Sequence, residues 1–402
     1  GRTPNVKSIT LDELNKVRNQ EKNRIRILTF NDLHGNVEST SKEAGAANLA
    51  GAMDLYRTIN PDTIAVSAGD NYQGTAVSNI LYGAPVNKFM KLAKVEFSAI
   101  GNHEFDWGRE KIEGWAKDGN FTFLAANIYD TNTNSPVTWT KPYVVKEVNG
   151  VKIGFIGFAT PETAFKTKPS NVAGIEFKDP ALIAPEYINK VKAEGAGVIV
   201  ALTHLGSSQD AKGIITGEAA DLAKKVTGFD VIISGHSHME VNGKVNGTPI
   251  IQAGKNGRNL GIISLNIQGD ELMGVDTKLL PVGTMNETMK GNSQVARMIE
   301  DYKQQVGKEL DVVIGQAAKE YPHDRYTNVS ELGEWISEAM RQEGKAQIGI
   351  TNGGGVRIPI EKGNITIGTM YDLMPFDNTV VTMEMKGSDI KKLFEDIFKN
   401  IK

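Results

Sequence analysis

Five of the six histidines of this chain occur in short polar motifs, each of which follows an apolar, strand-like run. The segments that carry Asp, Asn and His in this way are Asp32-Leu33-His34, Gly69-Asp70, Gly101-Asn102-His103, Thr203-His204 and Gly235-His236-Ser237-His238. Open α/β sheets place their ligands at the carboxyl ends of the strands, so we expect one site built from these residues. Such nitrogen and oxygen donors suit zinc, manganese, iron or cobalt.

The number of donors is sufficient for two metal ions. At about four protein ligands per ion, seven residues suffice when one carboxylate is shared. We predict Asp32, His34, Asp70 and His238 for one ion, and Asp70, Asn102, His204 and His236 for the other. Two ions about 3.5–4 Å apart form a clamp for in-line displacement at phosphorus and lower the pKa of a bound water, which then attacks as hydroxide.

His103 lies outside this ligand set, and Asp106 follows it three residues later. Asp106 can fix the tautomer and orientation of His103, which would stabilise the phosphoryl oxygens or protonate the leaving group. We therefore predict that His103 and Asp106 are catalytic. The alternatives are buried histidines with ordinary hydrogen bonds, or a structural metal. Structural zinc sites are usually rich in cysteine, however, and the chain has none. The sixth histidine, His323, is expected at the surface.

The elements that position these residues alternate between strand-like and helix-like segments from Ile25 onward. This alternation predicts an α/β layered domain with much parallel sheet. The Asn149-Gly150 pair between two apolar runs predicts a hairpin, so some antiparallel strands are mixed in. Residues 75–92 are predicted to form one crossover helix, and residues 348–350 and 379–385 to form strands of a later region. The predicted divisions are an arm over 1–24, a first domain over 25–285, a linker helix over 286–310 and a second domain over 311–402.

Composition excludes several functional classes. The net charge of -3 provides no basic surface for a nucleic-acid polymer. No apolar run approaches the roughly 18 residues of a transmembrane span. The absence of cysteine excludes disulfides and thiolate sites and agrees with an exported protein. The chain begins Gly-Arg-Thr, so we expect a mature form from which a signal peptide is already absent. We expect a monomer.

The five polar motifs resemble, in order, those of the calcineurin-like metallophosphoesterase superfamily. More closely, the chain resembles the secreted bacterial 5′-nucleotidase and 2′,3′-cyclic phosphodiesterase family. The shared segments are Asn31–Gly35, Gly101–Asp106, Ser234–His238, Asn352–Arg357 and Met374–Phe376. The resemblance implies a four-layer αββα domain that holds two metals and the His103–Asp106 pair. It also implies a C-terminal α/β nucleotide-binding domain, which this chain would carry only in part.

The same resemblance implies a nucleotide as the small-molecule substrate. By motif match, Asn352 and Arg357 would contact it, Phe376 would stack on the base, and Arg325 lies near the position of a further phosphate-contacting arginine. The implied protein is a secreted or cell-surface 5′-nucleotidase that uses zinc or manganese, or else cobalt, iron or magnesium. Cyclic 2′,3′-nucleotides and UDP-sugars are further candidate substrates.

Two other functional classes stay open. One is a non-nucleotide phosphomonoesterase or sulfur-ester hydrolase of the same superfamily. The other is a metal-containing surface binding protein without turnover. The presence of both His103 and Asp106 argues against the binding protein, because such a protein has no need of a leaving-group acid.

Overall fold

The computed structural model describes residues 10–283, 291–325 and 329–399. The chain divides into two compact units, which are residues 1–73 with 80–303 and residues 74–79 with 304–402. The domain boundaries expected from the sequence stay a prediction. Among the described helices, none combines the length and the apolar character that crossing a membrane requires.

The strands of the first unit are numbered in chain order. They are β1 (Arg24–Phe30), β2 (Thr63–Ser67), β3 (Val95–Ala99), β4 (Thr122–Leu124), β5 (Ile128–Asp130), β6 (Ser135–Pro136), β7 (Tyr143–Val148), β8 (Val151–Ala159), β9 (Ile175–Phe177), β10 (Val198–His204), β11 (Ser208–Gln209), β12 (Ile215–Thr216), β13 (Val231–Ile233), β14 (Glu240–Val245), β15 (Thr248–Ala253), β16 (Asn259–Gln268) and β17 (Glu271–Pro281). The second unit contains β18 (Val313–Ala317) and β19 (Gly363–Thr366).

The helices of both units are also numbered in chain order. They are α1 (Leu11–Gln20), α2 (Ala46–Ile59), α3 (Ala76–Asn79), α4 (Ala84–Leu92), α5 (Glu110–Gly119), α6 (Thr163–Lys166), α7 (Pro180–Ala193), α8 (Glu218–Lys225), α9 (Ser293–Leu310), α10 (Glu331–Gly344), α11 (Ile367–Leu373) and α12 (Gly387–Lys399). Short 3-10 turns cover Asn102–Phe105, Pro169–Val172 and Gly353–Gly355.

Two six-stranded sheets form the centre of the first unit, in the orders β17-β16-β1-β2-β3-β4 and β14-β15-β13-β10-β8-β7. Their facing sides share one core, to which β1 contributes Ile27, β2 contributes Val66, β8 contributes Phe155 and β10 contributes Val200. These residues alternate with outward-facing neighbours because successive side chains of a strand point to opposite faces.

Helices cover the outer side of each sheet. On the second sheet, Tyr187 and Val191 of α7 and Leu222 of α8 are buried in a separate core. On the first sheet, Phe89 of α4 lies with its ring centroid 5.6 Å from that of Phe30. The first unit is therefore a four-layer αββα sandwich, as the resemblance implies.

Parallel pairing brings the polar motifs to the same edge of each sheet. In the first sheet, Phe30 at the end of β1 pairs with Ser67 at the end of β2. In the second sheet, His204 at the end of β10 pairs with Ala159 at the end of β8, while Leu202 pairs with Ile233 at the end of β13. The residues that follow these strand ends consequently emerge side by side.

The second unit contains the antiparallel pair β18–β19 and a small core of its own. Leu332 and Ile336 of α10, with Val356, Ile360 and Leu373, are buried in that core. Segment 74–79, which contains α3, belongs to this unit. The backbone N–H of Ala76 donates to Asp372 Oδ1 at 2.6 Å, and Asn79 Nδ2 donates to the carbonyl of Pro375 at 3.0 Å.

Three expectations about local structure are wrong. The helix expected over 75–92 is two helices, α3 and α4, because Tyr82 and Gly83 between them have positive φ angles of 51° and 80°. Residues 348–350 and 379–385 are not strands. Strands need partners for their backbone hydrogen-bonding groups, and neither segment pairs with a strand anywhere in the described part of the second unit.

Candidate metal centre and active site

The predicted ligands come together as two groups. Asp32, His34 and His238 offer donor atoms within 4.8 Å of one another, and so do Asp70, His204 and His236. Asp70 Oδ2 lies 3.0 Å from His204 Nε2 and 3.9 Å from His34 Nε2, so this carboxylate faces both groups. The residues can therefore hold two metal ions, and Asp70 is placed to be shared.

These ligand groups depend on an unusual backbone. Five of the residues adopt a left-handed conformation, with φ angles of 49° for Asp32, 48° for His34, 59° for Asp70, 74° for His236 and 61° for His238. Positive φ is uncommon for residues other than glycine and costs free energy, so it persists where the surroundings over-determine it. The surroundings of the site therefore hold these five residues in a conformation that they would otherwise seldom adopt.

Two of the histidines have their tautomer fixed by a backbone carbonyl. His34 Nδ1 lies 2.8 Å from the carbonyl oxygen of Gln73, and His204 Nδ1 lies 2.6 Å from that of Ala68. A carbonyl oxygen can only accept, so in each ring Nδ1 carries the proton and Nε2 is directed into the site. Metal-binding histidines are commonly oriented by such a bond.

Unpaired oxygen atoms support the fit of a cation. Within the described ranges, Asp32 Oδ1 and Asn102 Oδ1 are buried and accept no hydrogen bond. Buried polar atoms normally have a partner, and each exception needs an explanation. Asp32 Oδ1 lies 3.4 Å from His238 Nε2 and 3.6 Å from His34 Nε2, as donors to a common ion would. The Asn102 side-chain oxygen is likewise buried and available as a donor, and its role as a metal ligand stays a prediction.

The electrostatics of the site favour a positive charge. Burial would raise the pKa of Asp32, but His204, His238 and His34 outweigh it and hold the pKa far below its usual range. Burial likewise would raise the pKa of Asp70, yet His204 and His103 hold it well below that range. Burial would lower the pKa of His204, but Asp70 and Asp32 raise it to about 10. Without a metal, a proton on His204 therefore supplies the cation that the two carboxylates require.

A layer of hydrogen bonds holds the carboxylates in place. Asn31 Nδ2 donates to Asp32 Oδ2 at 2.6 Å, and the backbone N–H of His236 donates to the same oxygen at 2.9 Å. The fully buried Glu104 accepts from the backbone N–H groups of Asp70, Asn71 and Gly101 at 2.9, 3.1 and 2.7 Å. Burial and the neighbouring Asp70 raise the pKa of Glu104 to about 8.

His103 and Asp106 form a pair at the border of this cluster. His103 Nδ1 lies 2.7 Å from Asp106 Oδ2, and the His103 ring centroid lies 5.5 Å from that of His34. Both residues are partly buried. Asp106 is therefore placed to orient the His103 imidazole beside the metal groups, and the catalytic role of the pair stays a prediction.

One carboxylate at the site was not predicted from the sequence. Glu162 Oε2 lies 2.5 Å from His236 Nε2, and this bond holds the pKa of Glu162 below its usual value against the effect of burial. Glu162, Glu218 and His236 form a third group with donor atoms within 4.8 Å. The signal was present, because Glu162 also follows a strand end, that of β8. The β8 motif contains no histidine, however, and so it did not stand out.

The predicted substrate-binding residues all lie in the second unit. Arg357 Nη1 donates to the carbonyl of Gly354 at 3.1 Å, and its guanidinium carbon lies 5.2 Å from the centroid of Phe376. Asn352 precedes the 3-10 turn Gly353–Gly355. A Cβ atom at Gly353 would lie 2.6 Å from the backbone oxygen of Arg325, which explains the glycine. The structure therefore brings Arg325, Asn352, Arg357 and Phe376 into the same unit.

His323 is a correction to the expectation of a surface histidine. It is half-buried, with Nδ1 2.6 Å from Ser330 Oγ and Nε2 2.8 Å from the carbonyl oxygen of Gly353. It therefore joins the start of α10 to the glycine turn.

Comparison with known proteins decides the family. The model of the calcineurin-like phosphoesterase family matches residues 25–240, which is more than half of the chain and includes every predicted metal ligand. The chain belongs to the calcineurin-like phosphoesterase family. The model of the 5′-nucleotidase C-terminal domain matches residues 313–401. This calcineurin-like phosphoesterase therefore combines the αββα unit with a domain of the 5′-nucleotidase type, as the sequence motifs predict.

Individual relatives extend over nearly the whole chain. It is similar to endonuclease YhcR of Bacillus subtilis, with 30% identity over 93% of this chain and 33% of the relative. It is also similar to cell wall protein Lmo0130 of Listeria monocytogenes, with 29% identity over 91% of this chain and 55% of the relative. The chain thus spans about one third and about half of the lengths of these two proteins.

A solved structure supports the assignment. The 5′-nucleotidase precursor from Thermus thermophilus superposes with a TM-score of 0.80 at 27% identity, over 93% of this phosphoesterase and 78% of that chain. The agreement extends beyond the αββα unit, since the matched part of this chain is longer than the first unit.

Proposed function

We propose that this protein hydrolyses phosphate esters of nucleotides, with a nucleoside 5′-monophosphate as the leading substrate. The observation that carries the proposal is the pair of His/Asp groups that face the shared Asp70 carboxylate, with the His103–Asp106 pair beside them. A site with two metals and an adjacent imidazole is suited to displacement at phosphorus.

Seven residues would hold the two ions. They are Asp32, His34, Asp70 and His238 for one, and Asp70, Asn102, His204 and His236 for the other. When bound, the ions supply Lewis acidity and activate a water for in-line attack. Nitrogen and oxygen donors of this kind accept several metals, of which zinc suits the four imidazoles and manganese the carboxylate and amide oxygens.

His103 and Asp106 would act on the substrate side. Asp106 accepts from Nδ1, so Nε2 of His103 is the atom that we assign to the phosphoryl oxygens or to the leaving group. A proton from His103 would matter most for a poor leaving group, such as the hydroxyl of a nucleoside.

The second unit would recognise the nucleoside. We assign phosphate or sugar contacts to Asn352, Arg357 and Arg325, and base stacking to Phe376. The match of the 5′-nucleotidase C-terminal domain to residues 313–401 supports this assignment. We further propose an extracytoplasmic, monomeric protein, for which the name of the cell-wall relative from Listeria gives support as to location.

The test is hydrolysis of a small panel after chelation and after return of zinc, manganese, cobalt or magnesium, with organic products separated by chromatography and inorganic phosphate measured alongside. The panel consists of AMP, ADP, a 2′,3′-cyclic nucleotide, UDP-glucose and p-nitrophenyl phosphate, with a single-stranded oligonucleotide added because one relative is named an endonuclease. We expect activity that returns with metal and favours one nucleotide. Activity on p-nitrophenyl phosphate alone would contradict the assignment of the second unit, and oligonucleotide cleavage would contradict the substrate class.

A His103→Ala variant separates an enzyme from a metal-containing binding protein. Loss of a general acid typically costs about 10²–10⁴-fold in rate, while the ligand set is untouched. We therefore expect two metal equivalents by elemental analysis, together with a loss of this order in kcat. If wild-type and variant protein are both inactive with every metal while both metals are bound, the protein is a binding protein.

A further inference from the structure

The segment of residues 160–171, which we call the α6 segment, contacts the site at two separate places. It follows β8 and contains the short helix α6. At one place Glu162 meets His236. At the other, Thr167 and Asn171 meet Asp106. None of the predicted site residues lies in this segment, yet it contacts one predicted ligand and one predicted catalytic residue.

The contact with His236 defines how that ring is used. Glu162 Oε2 lies 2.5 Å from Nε2, so Nε2 carries a proton towards the carboxylate and Nδ1 is the nitrogen left for a metal. The backbone of Glu162 is anchored, because its N–H donates to Thr160 Oγ1 at 3.1 Å. The Thr160 hydroxyl in turn donates to Glu218 Oε2 at 2.7 Å. The ring is therefore held by a carboxylate outside the predicted ligand set, on a residue whose backbone is anchored by Thr160.

The contact with Asp106 fixes the plane of its carboxylate. His103 Nδ1 uses Oδ2, and the hydroxyl of Thr167 donates to Oδ1 at 2.9 Å. Asn171 Nδ2 donates to the backbone carbonyl of Asp106 at 3.1 Å. Because both oxygens are engaged, the carboxylate is held in one orientation. The carboxylate in turn orients the His103 ring through Oδ2.

We propose that Glu162 and Thr167 are positioning residues, through which the α6 segment fixes the orientations of the metal ligand His236 and of the His103–Asp106 pair. Glu162 acts on metal affinity through His236. Thr167 acts on proton transfer through Asp106. This inference rests on the proposed function, but metal binding and ring geometry test it without turnover.

The role of Glu162 is tested by a manganese titration in which electron paramagnetic resonance measures the free and bound metal. Loss of an outer-shell partner of a metal-bound histidine costs about 10–100-fold in affinity. We expect Glu162→Ala to weaken one of two manganese equivalents by this factor, and Glu162→Gln, which keeps an acceptor, to weaken it less. Glu176→Gln is the matched control, because Glu176 is an exposed carboxylate on β9.

Three results, two from the titration and one from thermal unfolding, would overturn the role of Glu162. The first is unchanged binding of both equivalents in Glu162→Ala. The second is the loss of a third equivalent that the wild type binds, which would make Glu162 a ligand with Glu218 and His236. The third is a melting temperature of the metal-free variant well below that of the wild type, which would indicate a structural role only.

The Thr167 arm compares two leaving groups. Thr167→Val keeps the shape and removes the hydroxyl, and loss of one hydrogen bond to a charged group corresponds to about a 10- to 150-fold change in rate. We expect this loss in kcat on AMP, little loss on p-nitrophenyl phosphate, and no change in KM or in metal stoichiometry. Thr131→Val is the control, because the exposed Thr131 hydroxyl donates only to the carbonyl of Gly174 in the described contacts.

The role of Thr167 can also be tested by a measurement that needs no turnover. The Nδ1–H proton of His103 should give a downfield nuclear magnetic resonance signal, which is resolvable among six histidines. In Thr167→Val we expect this signal to shift and to exchange faster with water, whereas Thr131→Val leaves it unchanged. An unshifted signal, or an equal rate loss on both substrates, would overturn the role of Thr167. Inactivity of the wild type on every substrate would contradict the proposed function and leave this test intact.

Discussion

The backbone N–H of His103 donates a hydrogen bond to Oδ1 of Asp70 over 2.9 Å. The predicted acid and the carboxylate that faces both metal groups are thus directly joined. Oδ2 of the same carboxylate faces His204 at 3.0 Å. One side chain consequently contacts both the turn that carries His103 and the histidine of a metal group.

Asp70→Asn should separate these two roles. Asparagine keeps an oxygen for the His103 N–H but removes the charge that both groups share. Since loss of even an outer-shell partner costs about 10–100-fold, we expect at least a roughly 100-fold loss of activity and no more than one tight metal equivalent. Elemental analysis after gel filtration measures the bound metal, and phosphate release measures the activity. Asp118→Asn, an exposed carboxylate of α5, should change neither, and a fully loaded Asp70→Asn protein would contradict the shared position.

Gly101→Ala should disrupt the site by steric conflict alone. Gly101 has a φ of -82°, which alanine adopts readily, but a Cβ there would lie 2.0 Å from Asp70 Oδ1 and 2.5 Å from Glu104 Oε2. We expect a loss of more than about 2 kcal/mol in the free energy of unfolding by urea, together with loss of bound metal. Gly114→Ala in α5 meets nothing within 4 Å and should gain about 0.5–1 kcal/mol. Equal effects of the two changes would contradict the packing argument.

The metal-free protein should become less stable as pH rises. His204 has its pKa raised from 6.5 to about 10, so the proton that stabilises the folded state is fully present below 6.5 and is lost towards 10. Glu104, whose pKa is raised from 4.5 to about 8, also lowers the free energy of unfolding as pH rises from about 4.5 to about 8. The slope is at most about 1.4 kcal/mol per pH unit for each proton.

Urea unfolding in chelator between about pH 6.5 and 9.5 measures this dependence. The same series with saturating manganese is the control, and its fall should be much smaller because a bound metal takes the place of the proton on His204. Stability that rises with pH in chelator would mean that His204 is neutral in the metal-free fold.

Phe376→Ala should affect nucleoside recognition and spare the chemistry. Stacking of a base on an aromatic ring is worth roughly 1–3 kcal/mol, which corresponds to about a 5- to 150-fold rise in KM for AMP. We expect kcat on AMP and all kinetics on p-nitrophenyl phosphate to stay close to those of the wild type. Phe398→Ala, an exposed phenylalanine of α12, is the control. An unchanged KM for AMP would show that Phe376 is only a packing residue for Arg357.

The ligand groups could be predicted from the sequence because their positions follow from strand ends. Asp32 follows β1 and Asp70 follows β2 in the first sheet, and His204 ends β10 in the second, so parallel pairing brings each to the carboxyl edge of its own sheet and the packing of the sheets joins the two edges. The residue types then identify the chemistry. No part of this inference needs a prediction of individual side-chain contacts, and the two His/Asp groups of the structure agree with it.

The residues that escaped prediction depend on such contacts. Glu162 reaches His236 across 74 positions of sequence, and Thr167 reaches Asp106 across 61. A lone Glu or Thr on a loop carries no signal of a partner that distant. The break at Tyr82 and Gly83 was missed for a local reason, since the apolar pattern continues through it while the backbone turns left-handed.

The return of residues 74–79 to the second unit has a consequence for biosynthesis. Residue 304, where that unit resumes, is made 225 positions after residue 79. During translation, Ala76 and Asn79 leave the ribosome long before Asp372 and Pro375 exist to bind them. The strands of the first unit have all been synthesised by the end of this interval. The bonds of α3 to Asp372 and Pro375 can form only after residue 375 has been synthesised. A protein that is truncated after residue 303 would lack the residues to which Ala76 and Asn79 bind.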